Sequence, residues 1–251
     1  QWPSSAASDV YKRQPRTPHP RFEGKSGMGP RGDVIVEADW CIGELYKTLD
    51  NEGLLDNTLI IFSSDNGPVL NDGYYDDAVE KLGDHTPSGG LRGGKYSLFE
   101  AGTKVPFISY WKGKINPGVS NELISQVDLL NSISSIIGSE FKSNDGIDLS
   151  DLLLRNNGKG RDHLVVEAST RTAFRKGDWV IIPPYDAPAL NKNVNIELGN
   201  SNNFQLYNLE DDPSQKNNLA KIEKEKLKEI YNEFLKIRGD NFSNIESLIL
   251  E

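Results

Sequence analysis

The stretch "TLIIFSSDNGP", Thr58–Pro68, decides how this chain is read. Leu59 to Phe62 are four consecutive apolar residues, short and bounded, as in a buried strand. Ser63-Ser64-Asp65-Asn66-Gly67-Pro68 follows without a break. A chain that leaves a strand and at once presents a carboxylate, an amide and a glycine is making either a plain turn or a ligand site. In open α/β sheets, ligands bind beyond the carboxyl ends of strands. Asp65 and Asn66 lie there, and their hard oxygens suit calcium or magnesium better than zinc. Asp and Asn also favour turns on their own account, so at this point both readings stand.

Working outward, Asp33 to Gly53 reads as a helix. Ile35, Ala38, Ile42, Leu45 and Leu49 form one apolar stripe. Asp33 suits its start and Gly53 the position just past its end. "VPFISYW" (Val105–Trp111) reads as a second strand and Ile124–Ile137 as a second helix. Helix, strand, loop, strand, helix predicts α/β layers around a mostly parallel sheet. After "RNNGKGRD" (Arg155–Asp162) the pattern changes. His163–Ala168 and Thr172–Ile182 read as antiparallel strands, with Lys176-Gly177-Asp178 turning inside the second. Phe204–Leu209 is a further strand, Lys216–Ile237 an amphipathic helix, and the Asn- and Pro-rich Pro183–Asn203 a long surface loop. The chain therefore divides into an α/β part over residues 15–158 and a small α+β subdomain over 159–251.

Residues 1–14, "QWPSSAASDVYKRQ", have no apolar periodicity and no initiating Met, and read as a non-native tail. The remainder reads as the back part of a longer protein. At 251 residues the chain is long enough for one large domain, or one with a smaller companion. Its net charge of -9 argues against a nucleic-acid partner, which needs a basic surface. With Cys41 as the single cysteine, no intramolecular disulfide is possible. No apolar run reaches the length of about 18 residues that marks a membrane span, and no apolar core near the N-terminus marks a signal peptide.

A second stretch bears on Asp65. "GGLRGGKYSLFEAGTKVPFISYW" runs from Gly89 to Trp111. Gly93 and Gly94 let backbone approach a ligand closely, and Lys95 follows as a compact positive charge suited to an oxyanion. The alternative is an ordinary surface lysine. The order of the Gly32-Asp33 helix, "LDNTLIIFSSDNGP", "LRGGKYSLFEAGTKVPFISYWKGKINPGVS", "VDLLNSI" and the C-terminal "FQLYNLEDDPSQKNNLA" resembles the type I sulfatase family of the alkaline phosphatase superfamily. The likeness spans roughly Pro15 to Ala220.

The resemblance implies a partial alkaline-phosphatase-like α/β/α sandwich with a small C-terminal subdomain of antiparallel sheet and helix. It implies a calcium-dependent sulfuric ester hydrolase acting on a sulfated small molecule or polysaccharide, in the periplasm or outside the cell. By the same resemblance Asp65 and Asn66 correspond to calcium ligands and Lys95 to the lysine that holds a sulfate oxygen. In the family a Cys or Ser in a C/S-x-P/A-x-R motif becomes formylglycine, whose hydrate attacks sulfur while a histidine protonates the leaving alcohol. Cys41 is followed by Ile-Gly-Glu, so it is read as core, and formylglycine is expected in an N-terminal part outside this chain. The chain alone is therefore expected to be inactive.

His19, in "TPHPRFEGKSG", is one candidate for the leaving-group histidine. That residue usually sits in H-x-P, and Pro15 fits this proline by its distance to Gly32-Asp33, which puts Arg13 at the histidine position. His19 otherwise reads as a structural or rim residue. His85, on the loop between Asp65 and Lys95, is a candidate for substrate selection or a plain surface residue. Arg92 is a candidate for sulfate or sugar carboxylate, or the partner of a nearby acid. His163 reads as structural, and Asp76-Asp77 and Glu210–Asp212 as solvated faces or turn caps. Two other functions are weighed. A phosphatase or phosphodiesterase of the same superfamily would carry Asp-His-Gly where this chain has Asp65-Asn66-Gly67. The other is a non-catalytic relative.

Overall fold

The computed structural model describes residues 16–155, 158–168 and 170–239. The tail 1–14, with Arg13 and Pro15, lies outside them.

The first helix, α1, spans Gly29–Asn51. It starts earlier than expected because Pro30, with its fixed φ, sits in its first turn. Asp33 is therefore not the cap. It lies inside the helix at 3% exposure, and its carboxylate accepts from the Gly24 N–H (2.8 Å), the Ser26 N–H (2.8 Å) and the Ser26 hydroxyl (2.7 Å). Asp33 thus ties the incoming loop to the helix. The far end matches expectation. Gly53 takes φ +67°, its N–H bonds the Asp50 carbonyl and the Leu54 N–H bonds that of Leu49, the paired bonds of a glycine-terminated helix.

Strand β1 (Ile60–Ser63) pairs with β2 (Phe107–Tyr110). The expectation of parallel pairing fails for these two strands. They run antiparallel, Ile60 opposite Tyr110 and Ser63 opposite Phe107. A parallel pair needs a crossover that returns the chain to the starting edge. Here it re-enters at the end it left. The Gly67 N–H bonds the Gly102 carbonyl at 2.8 Å and the Ser63 hydroxyl bonds that of Pro106 at 3.0 Å. Between them lies α2 (Glu100–Thr103). Helices α3 (Leu129–Ile136) and α4 (Ser150–Arg155) follow, α3 entered through a 3₁₀ turn at Gln126–Asp128. Asp128, 2% exposed, caps that turn, accepts the Ile147 N–H and pairs with Arg161 at 2.5 Å.

The C-terminal sheet is antiparallel, in the order β3 (His163–Ala168), β4 (Arg171–Lys176), β5 (Trp179–Ile182), β8 (Gln205–Asn208). The segment read as a long loop carries a small ribbon, β6 (Leu190–Asn191) with β7 (Ile196–Glu197). Helix α5 spans Lys224–Arg238. The sheet is covered on both faces, and alternation along the strands sorts its residues. Phe174, Ile181 and Leu206 meet Ile230 and Phe234 of α5, where Leu227, Ile230, Tyr231 and Phe234 make one helical stripe. Ala173, Val180, Ile182 and Tyr207 face the other way and pack on Leu98 and Phe99. Each fully buried Val, Leu, Ile or Phe among them contributes about 1.5–3 kcal/mol. The segment that packs on this second face is the one that carries Lys95.

Candidate active site

Two loops meet at the end of β1. The first is Ser64–Pro68. Its strand end is held by Gln126, whose amide donates to the Ser63 hydroxyl (3.0 Å) and the Ser64 carbonyl (2.6 Å). The second is Arg92–Gly102. The Lys95 N–H donates to the Pro68 carbonyl at 3.0 Å, and the Gly67 N–H to that of Gly102 at 2.8 Å. Gly67 and Gly94 are demanded by this contact, and Gly93 by the fold of the second loop on itself. A Cβ on Gly67 would lie 1.6 Å from the Ala101 carbonyl oxygen, one on Gly94 2.6 Å from that of Pro68, and one on Gly93 2.4 Å from the Ser97 hydroxyl. The backbone thus brings the Asp65-Asn66 loop and Lys95 together.

Asp65 is exposed and Asn66 half-buried. The Asn66 amide nitrogen donates to the Gly67 carbonyl at 3.0 Å, which leaves its oxygen for a ligand. Lys95 is half-buried, its ammonium 5.4 Å from the Tyr96 ring centre. Among the described residues no three or more His, Cys, Asp and Glu gather as a metal cluster. Asp65 and Asn66 fit a hard cation by donor chemistry, as part of a shell that needs about 6–8 oxygens.

Arg92 takes the second of its two readings. Its guanidinium binds Glu197 through two 2.8 Å bonds, donates to the Gln215 carbonyl at 2.8 Å and lies 4.0 Å from the Phe99 ring centre. It clasps the lysine loop to the β6–β7 ribbon and to the loop that follows β8. That bond to Arg92 holds the Glu197 carboxyl below its ordinary range. Gln215 completes the clasp at 0% exposure, its side-chain oxygen accepting the Glu100 N–H at 2.7 Å. Glu100 faces Arg175 at 3.2 Å, and burial pushes its carboxyl up against the pull of Arg175 and Lys104.

His85 is exposed on the intervening loop. His19 caps a 3₁₀ turn, Pro20–Phe22. Its Nδ1 accepts the Arg21 N–H at 3.3 Å, and its backbone N–H donates to Glu37 at 2.9 Å. His163 is structural, its ring 5.7 Å from that of Phe174. Cys41 is half-buried on α1, short of the core position expected. Asp76 departs from the solvated-face reading. It is 8% exposed and pairs with Arg16 at 2.8 Å, while keeping a turn-cap bond from the Ala78 N–H. Arg16 also binds Asp72 and the carbonyls of Val69 and Leu70, so it braces the loop just beyond Pro68. A cavity of about 730 Å³ opens there, lined among others by Arg16, Asp33, Tyr74, Tyr75, Asp76 and Lys81. None of the residues predicted as site members lines it. A tyrosine pair in an otherwise polar loop was its only sequence signal.

A family model described as "Sulfatase" matches residues 4–139. An N-acetylgalactosamine-6-O-sulfatase from Bacteroides thetaiotaomicron is 47% identical over 220 residues, covering 86% of this chain and 43% of that protein. Human arylsulfatase A is 37% identical over 152 residues, 58% of this chain and 28% of that protein. A solved chain described under metabolism of multiple glycosaminoglycans by Bacteroides thetaiotaomicron superposes with a TM-score of 0.86. It shares 44% identity over 90% of this chain and 48% of its own length. The chain thus spans less than half the length of these relatives. Ordered motifs, the fold and these likenesses agree: the chain belongs to the sulfatase family, of the alkaline-phosphatase-like fold.

Proposed function

We propose that this chain carries one side of the active site of a carbohydrate sulfatase. Lys95 holds a sulfate oxygen, and Asp65 and Asn66 lend oxygens to a calcium ion that, when bound, neutralises charge on the sulfate. The observation that carries the reading is the pair of backbone bonds between the loops, Lys95 to Pro68 and Gly67 to Gly102. They join the proposed cation ligands and the lysine into one frame, as preorganised charge stabilisation requires. The ammonium of Lys95 offers a compact charge to an oxygen that gains negative charge as the ester bond breaks. The 47% identity to an N-acetylgalactosamine-6-O-sulfatase favours a 6-sulfated amino sugar as substrate. The cavity beside Tyr74 and Tyr75 offers aromatic and polar walls for the sugar or its neighbour. His85 is assigned to the sugar side, and His19 to supporting the rim. The nucleophile is not assigned to Cys41. Formylglycine is proposed for the part of the family domain that this chain does not span. Periplasmic or extracellular placement belongs to the same proposal. Among the described residues no helix is long and apolar enough to cross a membrane.

The test uses the enzyme with the whole family domain, assayed on an aryl sulfate and on N-acetylgalactosamine 6-sulfate. A lysine about 4 Å from a sulfate oxygen is worth roughly 4 kcal/mol at an effective dielectric near 20. Desolvation offsets part of it, so Lys95→Ala is expected to lower kcat/KM about 30- to 150-fold on both substrates. His85→Ala is expected to matter on the sugar and little on the aryl sulfate. Near-normal aryl sulfate turnover by Lys95→Ala would refute the assignment.

A further inference from the structure

Tyr96, directly after Lys95, holds a backbone φ of +76°. For a residue with a Cβ that conformation costs roughly 1–2 kcal/mol, and an aromatic side chain has no local hydrogen bond to offset it. Something outside the turn must keep it there. The Tyr96 carbonyl accepts a bond from the Arg171 guanidinium, Nη2 to O, at 3.2 Å.

Arg171 opens β4 and is 7% exposed. Its Nε donates to the Ala168 carbonyl at 3.1 Å and its Nη1 to the side-chain oxygen of Asn200, itself 7% exposed. The Asn200 amide in turn donates to the Pro188 carbonyl at 2.6 Å. Among the described residues no carboxylate pairs with Arg171. A buried cation served only by neutral acceptors is expensive to keep and does little for stability that an apolar side chain would not do better. Its geometry, however, reaches three separate segments at once: the β3–β4 turn, the segment before β8 and the residue after Lys95. The segment before β8 also grips the lysine loop nearby. The Leu98 N–H bonds the Leu198 carbonyl at 3.1 Å, and a Cβ on Gly94 would touch Ile196 at 3.2 Å.

We propose that Arg171, supported by Asn200, is a positioning residue for Lys95. It holds Tyr96 in its left-handed conformation through the Tyr96–Ser97 peptide and so fixes the direction in which the preceding lysine's ammonium projects. The C-terminal sheet then takes part in the site through this arginine without touching the substrate. The inference rests on the role proposed for Lys95.

The test compares Arg171→Lys, Tyr96→Gly and the double variant in the enzyme with the whole family domain. Arg171→Lys keeps the charge and loses the planar fork. With the lysine loop released, kcat on an aryl sulfate is expected to fall about tenfold, and KM to change less than about twofold. Glycine adopts positive φ without strain, so Tyr96→Gly added to Arg171→Lys is expected to recover most of the lost kcat. A merely structural role for Arg171 would lower the melting temperature and give no such rescue. If Arg171→Lys does not fold, Asn200→Ala is read in the 251-residue chain by amide exchange. Exchange at Tyr96–Leu98 is then expected to quicken at least about tenfold, with β4 and β5 unchanged. Unaltered kcat in Arg171→Lys, a loss that Tyr96→Gly does not relieve, or exchange that is unchanged or quickens uniformly would overturn the inference. If Lys95→Ala itself loses nothing, the proposed role of Lys95 fails. If Lys95→Ala is impaired while Arg171→Lys is silent, only the positioning role fails.

Discussion

Gly67→Ala tests the frame of the site at its tightest point. An ideal Cβ there would lie 1.6 Å from the Ala101 carbonyl oxygen and 2.7 Å from its carbon. Ordinary contact requires close to 3.5 Å, so the two segments must part by about 2 Å. Ala101 is 1% exposed and continuous with Leu98 and Phe99 at 4% and 2%, which are locked into the face of the C-terminal sheet. The Asp65–Pro68 loop is the softer partner and is the one that moves. Its displacement breaks the 2.8 Å bond from Gly67 to Gly102, worth about 1 kcal/mol. Overpacking against buried backbone adds about 1–3 kcal/mol, so the total is expected near 2–4 kcal/mol. The assay is denaturant unfolding of the chain, with a lower midpoint and unchanged slope. Gly43→Ala is the control. Nothing lies within 4 Å of its added methyl, and alanine inside a helix is favoured, so it is expected to stabilise by about 0.5–1 kcal/mol. In the enzyme with the whole family domain, a shift of more than 1 Å between Asn66 and Lys95 is expected to cost about 100-fold in turnover. Stability within about 0.5 kcal/mol of the parent, below a single backbone hydrogen bond, would show that Gly67 is not wedged against α2, and the reasoning would fail.

Two further outcomes follow from groups that tie the loops. Burial raises the proton affinity of Asp33, but the hydroxyl and N–H of Ser26 and the N–H of Gly24 outweigh it and hold the carboxyl below its ordinary 3.8. Its contribution is thus present above pH 3.8 and lost as pH falls through the folded value. Asp33→Asn is expected to be about 2–3 kcal/mol less stable at pH 7, with the gap closing in acid, and a gap independent of pH would contradict this. Arg92→Lys loses the two-pronged bond to Glu197, so the Glu197 carboxyl is expected to titrate closer to its ordinary 4.5, read by NMR. An unmoved titration would mean that Arg92 does not hold that acid.

The local elements were legible where side-chain period and turn chemistry acted together. β3 matches its predicted bounds, and the hairpin turns at Gly177-Asp178 with Gly177 at φ +54°. The start of α5 was not legible. Lys216–Glu223 carries the amphipathic pattern, yet this segment edges the sheet instead. The Asn218 side chain accepts the Leu206 N–H, and the Leu219 N–H bonds the Leu206 carbonyl. Periodicity reports which face is apolar and does not report a competing backbone partner. Arg92 illustrates the same limit at the site. Its two readings differ only in whether Glu197, 105 residues away, comes within reach, and nothing local encodes that.

The strand direction was missed for a related reason. Short apolar runs such as Ile60–Phe62 read the same in either orientation, and only the path of the connection decides. That path is fixed by the close backbone contacts at Gly67, Gly94 and Gly102, which sequence displays only as glycines. The stripe on α1 carries the converse lesson. Its spacing made the helix plain, yet Ile35, Ile42 and Leu45 are 52%, 38% and 48% exposed, with Phe62 and Ile108 of the small sheet at 41% and 58%. An apolar stripe states that a face is built to be covered; what covers it is a property of the tertiary partner. The lysine loop is the opposite case. Leu98 and Phe99, three and four residues after Lys95, are sealed against the C-terminal sheet, while Asp65 and Asn66 hang on the same frame through Gly67 and Pro68. Motions that open this contact would move the lysine and the proposed cation ligands together. The geometry at the end of β1, on which the proposed chemistry rests, is therefore set by packing on the far side of the loop, which no local motif displays.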